Sequence, residues 1–205
     1  SNWNTRGGGS HIAGKDTVSP TGGMALQVLS SMDEPWIDYS FASSRYEKDK
    51  GPEDSREFIS YGISHPDYEF KGYDLDAKRF PTFRYSFKGV TIEDHYRPMN
   101  LNGINAVHRT LIISDVLPAN TYLLAGVRGD FSKLPDGYYK INDLMAIKVE
   151  GAVPLIRDSE ALNVKPPLRK TEPKKEKRKE LLVPVKGGQK IKIIYRWMSA
   201  RELKK

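Results

Sequence analysis

The stretch Thr82-Phe-Arg-Tyr-Ser-Phe87, then Lys88-Gly89, then Val90-Thr-Ile-Glu93 constrains the fold more than any other part of the chain. Phe83, Tyr85 and Phe87 fall on one side of an extended backbone, and Thr82, Arg84 and Ser86 on the other. A half-buried strand requires this alternation and a helix destroys it. Two such runs joined by two residues ending in Gly predict a tight antiparallel hairpin, because that turn needs positive φ, which Gly adopts without steric cost.

Further strands are expected at Met24–Leu29, Thr110–Ser114, Tyr122–Val127, Tyr138–Ile141 and Met145–Val149. At the end of the chain, Leu181–Val185 and Lys190–Trp197 flank Lys186-Gly-Gly-Gln189, which reads as a four-residue hairpin, with Pro184 arguing for an edge strand. Ile191, Ile193, Tyr195 and Trp197 share one face of the last strand. Strands about ten residues apart with Gly, Pro, Asn or Asp at the turns predict one all-β domain over 1–205, an antiparallel β-sandwich, jelly-roll-like or Ig-like, with long irregular loops and little helix. Only Ser199–Lys205 offers a helical turn. Two stretches fit no strand, a loop-rich entrance over 5–23 and a polar excursion over 38–67, and the basic, Pro-rich stretch 165–180 reads as an exposed loop.

The net charge of +7 is unevenly placed. Residues 165–205 carry 15 of the 33 basic residues and 4 of the 26 acidic ones, a balance of +11, so residues 1–164 stand at −4. Lys165–Lys179 would attract nucleic acid or an anionic surface by counterion release, but it lacks interleaved aromatics, which makes nucleic acid an unlikely partner. The longest apolar runs fall far short of the ~18–20 residues a membrane helix needs. Cysteine is absent, which removes disulfides, thiolate zinc sites, a cysteine nucleophile and covalent haem attachment. The chain opens Ser1-Asn-Trp-Asn4 with no Met and no basic-then-apolar leader, as expected of an excised or processed piece.

Candidate chemistry gathers in two places. Glu93-Asp94-His95-Tyr96-Arg97 ends one strand and His108-Arg109 begins another, so a connection that folds back would set the two groups side by side. A carboxylate beside a histidine is the minimum equipment of a general base, which nominates Asp94, His95, His108 and Arg109 as catalytic groups. The plainer alternative is a charged strand end in which Arg97 or Arg109 pairs the acids. Glu93 and Asp94 point to opposite faces, so only one of them serves a given site. Asp74 and Asp76 read either as paired carboxylates for glycoside hydrolysis or as turn residues. The second place is aromatic: Trp36, Tyr39 and Tyr46, with Arg97, are candidate ligand-binding residues, able to stack on sugar rings if exposed and core residues if not. His11, His65, His95 and His108 lack metal-ligand spacing, and neither a metal nor a cofactor is expected.

Asn4–Leu29 with Asp33-Glu-Pro-Trp36, and Tyr68–Asp76 through Pro81–Tyr85 to Gly89–Asp94, resemble a domain of unknown function in large secreted bacterial proteins. There a β domain neighbours c-type cytochrome modules and sugar- or quinoprotein-type dehydrogenase modules. The resemblance carries no catalytic residue. It implies a periplasmic or extracellular setting and neighbouring domains as partners. The resulting expectation is a non-catalytic β-sandwich module for binding or interdomain packing, with carbohydrate a possible ligand. A carbohydrate-active enzyme and a nucleic-acid or anionic-surface binder through 165–179 are the alternatives.

Overall fold

A computed structural model describes residues 26–39, 67–143, 145–164 and 174–198, together with the backbone of two short strands, β1 (Trp3–Thr5) and β2 (Ser10–Ile12), which pair with each other. Residues 40–66 of the excursion, 165–173 of the basic stretch and the terminal turn at 199–205 lie outside them. Every regular element among the described residues is a strand. The further strands are β3 (Leu26–Val28), β4 (Ile37–Tyr39), β5 (Tyr68–Leu75), β6 (Pro81–Phe87), β7 (Val90–Leu101), β8 (Ile104–Ile113), β9 (Thr121–Val127), β10 (Tyr139–Lys140), β11 (Met145–Glu150), β12 (Leu155–Val164), β13 (Lys174–Pro184) and β14 (Lys190–Trp197).

They form a β-sandwich. One sheet has seven strands in the order β10-β11-β14-β8-β7-β6-β5, the other five in the order β3-β9-β13-β12-β4. Pairing is antiparallel except between β4 and β12, which run parallel. Between the sheets lies the main core: Phe87, Ile92, Leu111, Ile147, Ile191 and Ile193 from the wide sheet meet Leu26, Leu123, Ala125, Leu181 and Val183 from the narrow one. The expected β6–β7 hairpin forms through Lys88 and Gly89, both with positive φ. A second one, unread in the sequence, follows at once: Asn102 and Gly103, again both at positive φ, join β7 to β8.

Four sequence expectations are corrected, the first being the loop-rich entrance over 5–23, in which Ser10–Ile12 is a strand paired with Trp3–Thr5. Lys186-Gly-Gly-Gln189 is not a hairpin but a crossover between layers, because β13 belongs to the narrow sheet and β14 to the wide one. Gly187 lies so close to Asp115 that a Cβ would stand 2.3 Å from its carbonyl oxygen, so glycine serves close approach there. Pro184 does not mark an edge: β13 is the central strand, and Pro184 is its last residue, where the missing N–H costs little. Finally, residues 174–180 are strand rather than loop. Arg178 and Glu180 are buried and alternate with exposed Lys177 and Lys179, so the charged sequence has a strand's period after all.

A smaller cluster, Leu29, Trp36, Leu124, Ala161 and Leu182, covers the outer face of the narrow sheet. It exists because β3 and β4 are that sheet's opposite edges, so the connection between them must cross its outer face. The crossing is pinned at both ends: the Gln27 side chain donates to Pro35 O and accepts from Ile37 N, and Arg157 Nη1 donates to Met32 O and Glu34 O at 2.8 and 2.9 Å. Trp36 is therefore 1% exposed and seals this second core, instead of offering an open ring to a ligand. Trp36→Ala is expected to cost about 3–5 kcal/mol of stability, the usual penalty for emptying a buried aromatic site, measured by urea unfolding followed by circular dichroism.

Candidate functional site

The β7–β8 hairpin brings together residues fifteen apart in the chain. Asp94 and Arg109 both point inward, toward the narrow sheet, and each is only 3% exposed. Arg109 grips the carboxylate with two nitrogens: Nε lies 2.9 and 3.1 Å from Oδ1 and Oδ2, and Nη2 lies 2.7 Å from Oδ2. The hydroxyls of Tyr85 and Tyr96 donate to Oδ2 at 3.4 and 3.3 Å. The guanidinium lies over the Tyr96 ring, 5.3 Å from its centre. Burial alone would lower the Arg109 pKa, but the Asp94 charge overrides it and holds the guanidinium well above its ordinary value. Burial, with Asp94 adding to it, also keeps the Tyr85 and Tyr96 phenols protonated far into the alkaline range. This is a fixed ion pair inside a cage of tyrosines.

The two histidines expected beside that pair lie on the other side of the sheet. Alternation along β7 turns Glu93, His95 and Arg97 outward while Ile92, Asp94 and Tyr96 turn inward, and β8 does the same with His108 and Arg109. His95 meets Thr82 Oγ1 through Nδ1 at 3.0 Å and Glu93 through Nε2 at 3.4 Å. Arg97 donates to Pro81 O at 2.8 Å and pairs with Asp76 at 3.2 Å. Asp76 itself closes the β5–β6 turn by accepting from Lys78 N and Phe80 N, the turn role weighed for it, whereas Asp74 pairs with Arg84. The nominated set Asp94, His95, His108 and Arg109 is thus divided by the thickness of a sheet, Asp94 with Arg109 on one face and His95 and His108 on the other.

What the fold does assemble is an aromatic strip. A bulge in β5 leaves Lys71 unpaired between Phe70 and Gly72, where φ is +110°, so Tyr68, Phe70, Tyr73 and Leu75 all reach the inward-facing side. Tyr68 stacks on Tyr85 at 5.4 Å inside the core. Farther along, Tyr73 meets Phe83 at 6.0 Å, and Phe83 meets Tyr96 edge-on at 5.9 Å. Phe70, Tyr73 and Leu75 remain 65%, 58% and 44% exposed. The strip therefore starts in the core and runs out across β7, β6 and β5, the last described strand on that side of the sheet, with the Asp94–Arg109 pair at its inner end. Phe83 and Tyr85 were read correctly as one face of a strand; the bulge that aligns Phe70 with Tyr73 carries only Gly72 as a cue.

Of the aromatic candidates in the excursion, Tyr46 lies outside the described residues, and for Tyr39 only the backbone, at the end of β4, is described. In the described part of the basic segment, 174–180, acids stand close to the basic side chains. Glu180, wholly buried, takes Arg157 at 2.9 Å and Arg178 at 2.8 Å, and Arg178 reaches on to Asp38. Lys177 and Lys179 lie across the ladder from Glu160 and Asp158, and Lys175 pairs with Glu160 at 3.1 Å. Among the described residues no three His, Asp or Glu side chains converge as a metal site would require. No protein-family model, no curated protein and no solved structure matches the chain.

Asp94→Leu leaves a buried guanidinium unpaired and is expected to destabilise by about 3–5 kcal/mol, whereas replacing both partners, Asp94→Leu with Arg109→Met, should cost much less. A double-mutant cycle in urea at pH 7 reads this difference. A second outcome concerns acid. Burial, then Lys192, hold the His108 pKa below its ordinary value, with Glu150 opposing and Lys190 assisting. The unfolded chain therefore takes up a proton first as pH falls below about 6.5, and the native state loses stability there. His108→Gln should show a smaller drop in urea midpoint between pH 7 and pH 5 than the parent chain.

Proposed function

We propose that the chain is a non-catalytic binding and packing module of an exported multidomain protein, redox or carbohydrate-active, and that its working surface is the aromatic strip on β5, β6 and β7. The observation that carries this reading is the exposure of Phe70, Tyr73 and Leu75 on one face of a sheet edge, in line with Phe83 and Tyr96. A single exposed apolar side chain is ordinary, but three in register and continuous with a core make a surface that loses water when covered. Ring faces and edges of this kind suit the C–H faces of sugars or the apolar surface of a neighbouring domain. The resemblance of Tyr68–Asp76 and Pro81–Asp94 to the β domain of secreted proteins falls on this very surface and supports the exported, multidomain setting.

The enzyme reading draws less support, since Asp94 is locked by Arg109 and the histidines stand on the opposite face. Nucleic-acid binding through 165–179 draws less support over its described part, 174–179, where the acids of β12 face the lysines.

Purified protein is to be screened on a polysaccharide array and against its neighbouring modules. Binding to at least one is expected, with Tyr73→Ala and Phe70→Ala each weakening it about tenfold, in the range of one stacked ring. Absence of binding to both, or binding indifferent to both substitutions, would refute the proposal.

A further inference from the structure

The outward face of the wide sheet is charged, and its charges are unevenly cancelled. Toward β5, Arg84 is held between Asp74 and Glu93, and Arg97 by Asp76. At the far end, Arg196 pairs with Asp136 at 3.1 Å and lies over the Tyr138 ring at 4.4 Å. Between these neutral borders lie β8, β14 and β11. Lys190 and Lys192 project outward from alternate positions of β14, and Lys148 projects from β11 beside Ile194. Neither Lys190 nor Lys192 forms an ion pair among the described residues, and Lys148 rests on Tyr138 at 5.6 Å. Glu150, across from Lys192, is the acid that faces them. Thr110 is a small side chain between them, while Ile112, 37% exposed, and Ile194 give the shelf apolar patches. His108 stands among them, with Nε2 lacking a hydrogen-bond partner.

We infer that the outward shelf of β8, β14 and β11, with Lys148, Lys190 and Lys192 around His108, binds a carboxylate-bearing acidic polysaccharide. Alternate residues of a strand are roughly 6.7 Å apart and adjacent strands about 4.8 Å, so the three ammonium groups are spread in two directions. Separate charges on a long chain suit such an array better than a single small anion does. A nucleic acid would in addition ask for open ring faces, and the aromatic of this shelf, Tyr138, is already covered by Arg196 and Lys148. Ile112 and Ile194 supply the contact that a sugar ring, unlike a bare phosphate, can use. The inference does not depend on the aromatic strip, which lies on the opposite face of the same sheet.

Native affinity electrophoresis with polygalacturonate, dextran and single-stranded DNA, each at low and high salt, tests it. Polygalacturonate is expected to retard the protein, less so at high salt, and dextran is not. Lys190→Glu with Lys192→Glu, both solvent-facing, should weaken retardation by about tenfold or more, because attraction at two positions becomes repulsion. Lys175→Glu with Lys177→Glu, on β13, should leave it unchanged. In the parent chain the His108 imidazole titration, followed by NMR, should move up when polygalacturonate is added, since its carboxylates offset Lys148, Lys190, Lys192 and the more distant Arg97 and Arg196. The inference fails if polygalacturonate gives no retardation, if the β13 reversal abolishes it and the β14 reversal does not, if single-stranded DNA is retained in its place, or if the His108 titration stays where it was.

Discussion

Seven strands cannot be covered by five. Apart from Asp94 and Arg109, the inward face of the wide sheet is apolar or aromatic out to its β5 edge, because the alternation in β5, β6 and β7 continues past the point where the narrow sheet has side chains to meet it. Each remaining feature of that face follows from the mismatch. Where the layers overlap, Phe87, Ile92 and Leu111 are sealed; at the margin Asp94 and Arg109 occupy inward positions as a bonded pair; beyond it, Phe83, Tyr96 and Tyr73 lean on one another and Phe70 is left to water. Rings are well suited to such a margin. They retain part of their contact area by stacking sideways on the next strand, which a lone aliphatic chain does poorly.

Both sheets bury charge, and in the same way. Glu180 between Arg157 and Arg178 on the narrow sheet matches Asp94 beneath Arg109 on the wide one: in each case a buried carboxylate is met by guanidinium nitrogens that satisfy both its oxygens. A well-packed apolar replacement would serve stability as well or better, so stability alone does not account for these pairs. What they supply is direction. Arg157 binds two carbonyls of the connection over the outer face and Arg178 reaches Asp38, so the chain has one route from β3 to β4. Asp94 and Arg109 penalise a one-residue slip of the β7–β8 hairpin, which would drive one charge outward and leave the other buried alone.

The strand content was legible from the residues, since alternation is a local property: β6, the start of β7, β9, β11 and β14 stand where the side chains change sides. Layer assignment was not. Lys186-Gly-Gly-Gln189 has the composition of a hairpin turn and is a crossover, and the difference lies in which strands take up the hydrogen bonds of β13 and β14, a long-range choice. Asn102-Gly103 was legible but unread, and with it the pairing of Asp94 and Arg109 would have followed by counting outward from the turn. Trp36 reads as a loop aromatic from its Pro and acidic neighbours, but its burial depends on β3 and β4 lying at opposite edges, which no short window contains. The aromatic strip escaped for a related reason: Phe70 and Tyr73 are three apart, and only a bulge places them on one face.

Charge shows the same separation of chain order from space. Lys174–Lys179 is the densest basic run in the sequence that the structure describes, and pairing with β12 sets Asp158 and Glu160 opposite its lysines. Lys148, Lys190 and Lys192 are scattered over more than forty residues and look unremarkable in order, yet the β11–β14 ladder draws them onto one shelf with Glu150 across from Lys192. An approaching anion responds to the field at the surface, which falls off within about 8–10 Å in physiological salt. At that range the partners of each lysine across the sheet count for more than its neighbours along the chain. A linear run of basic residues in a β protein is therefore weak grounds for a binding site until the opposing strand is known, whereas lysines held on alternate positions of a central strand, with neutralised borders, keep their charge for whatever approaches.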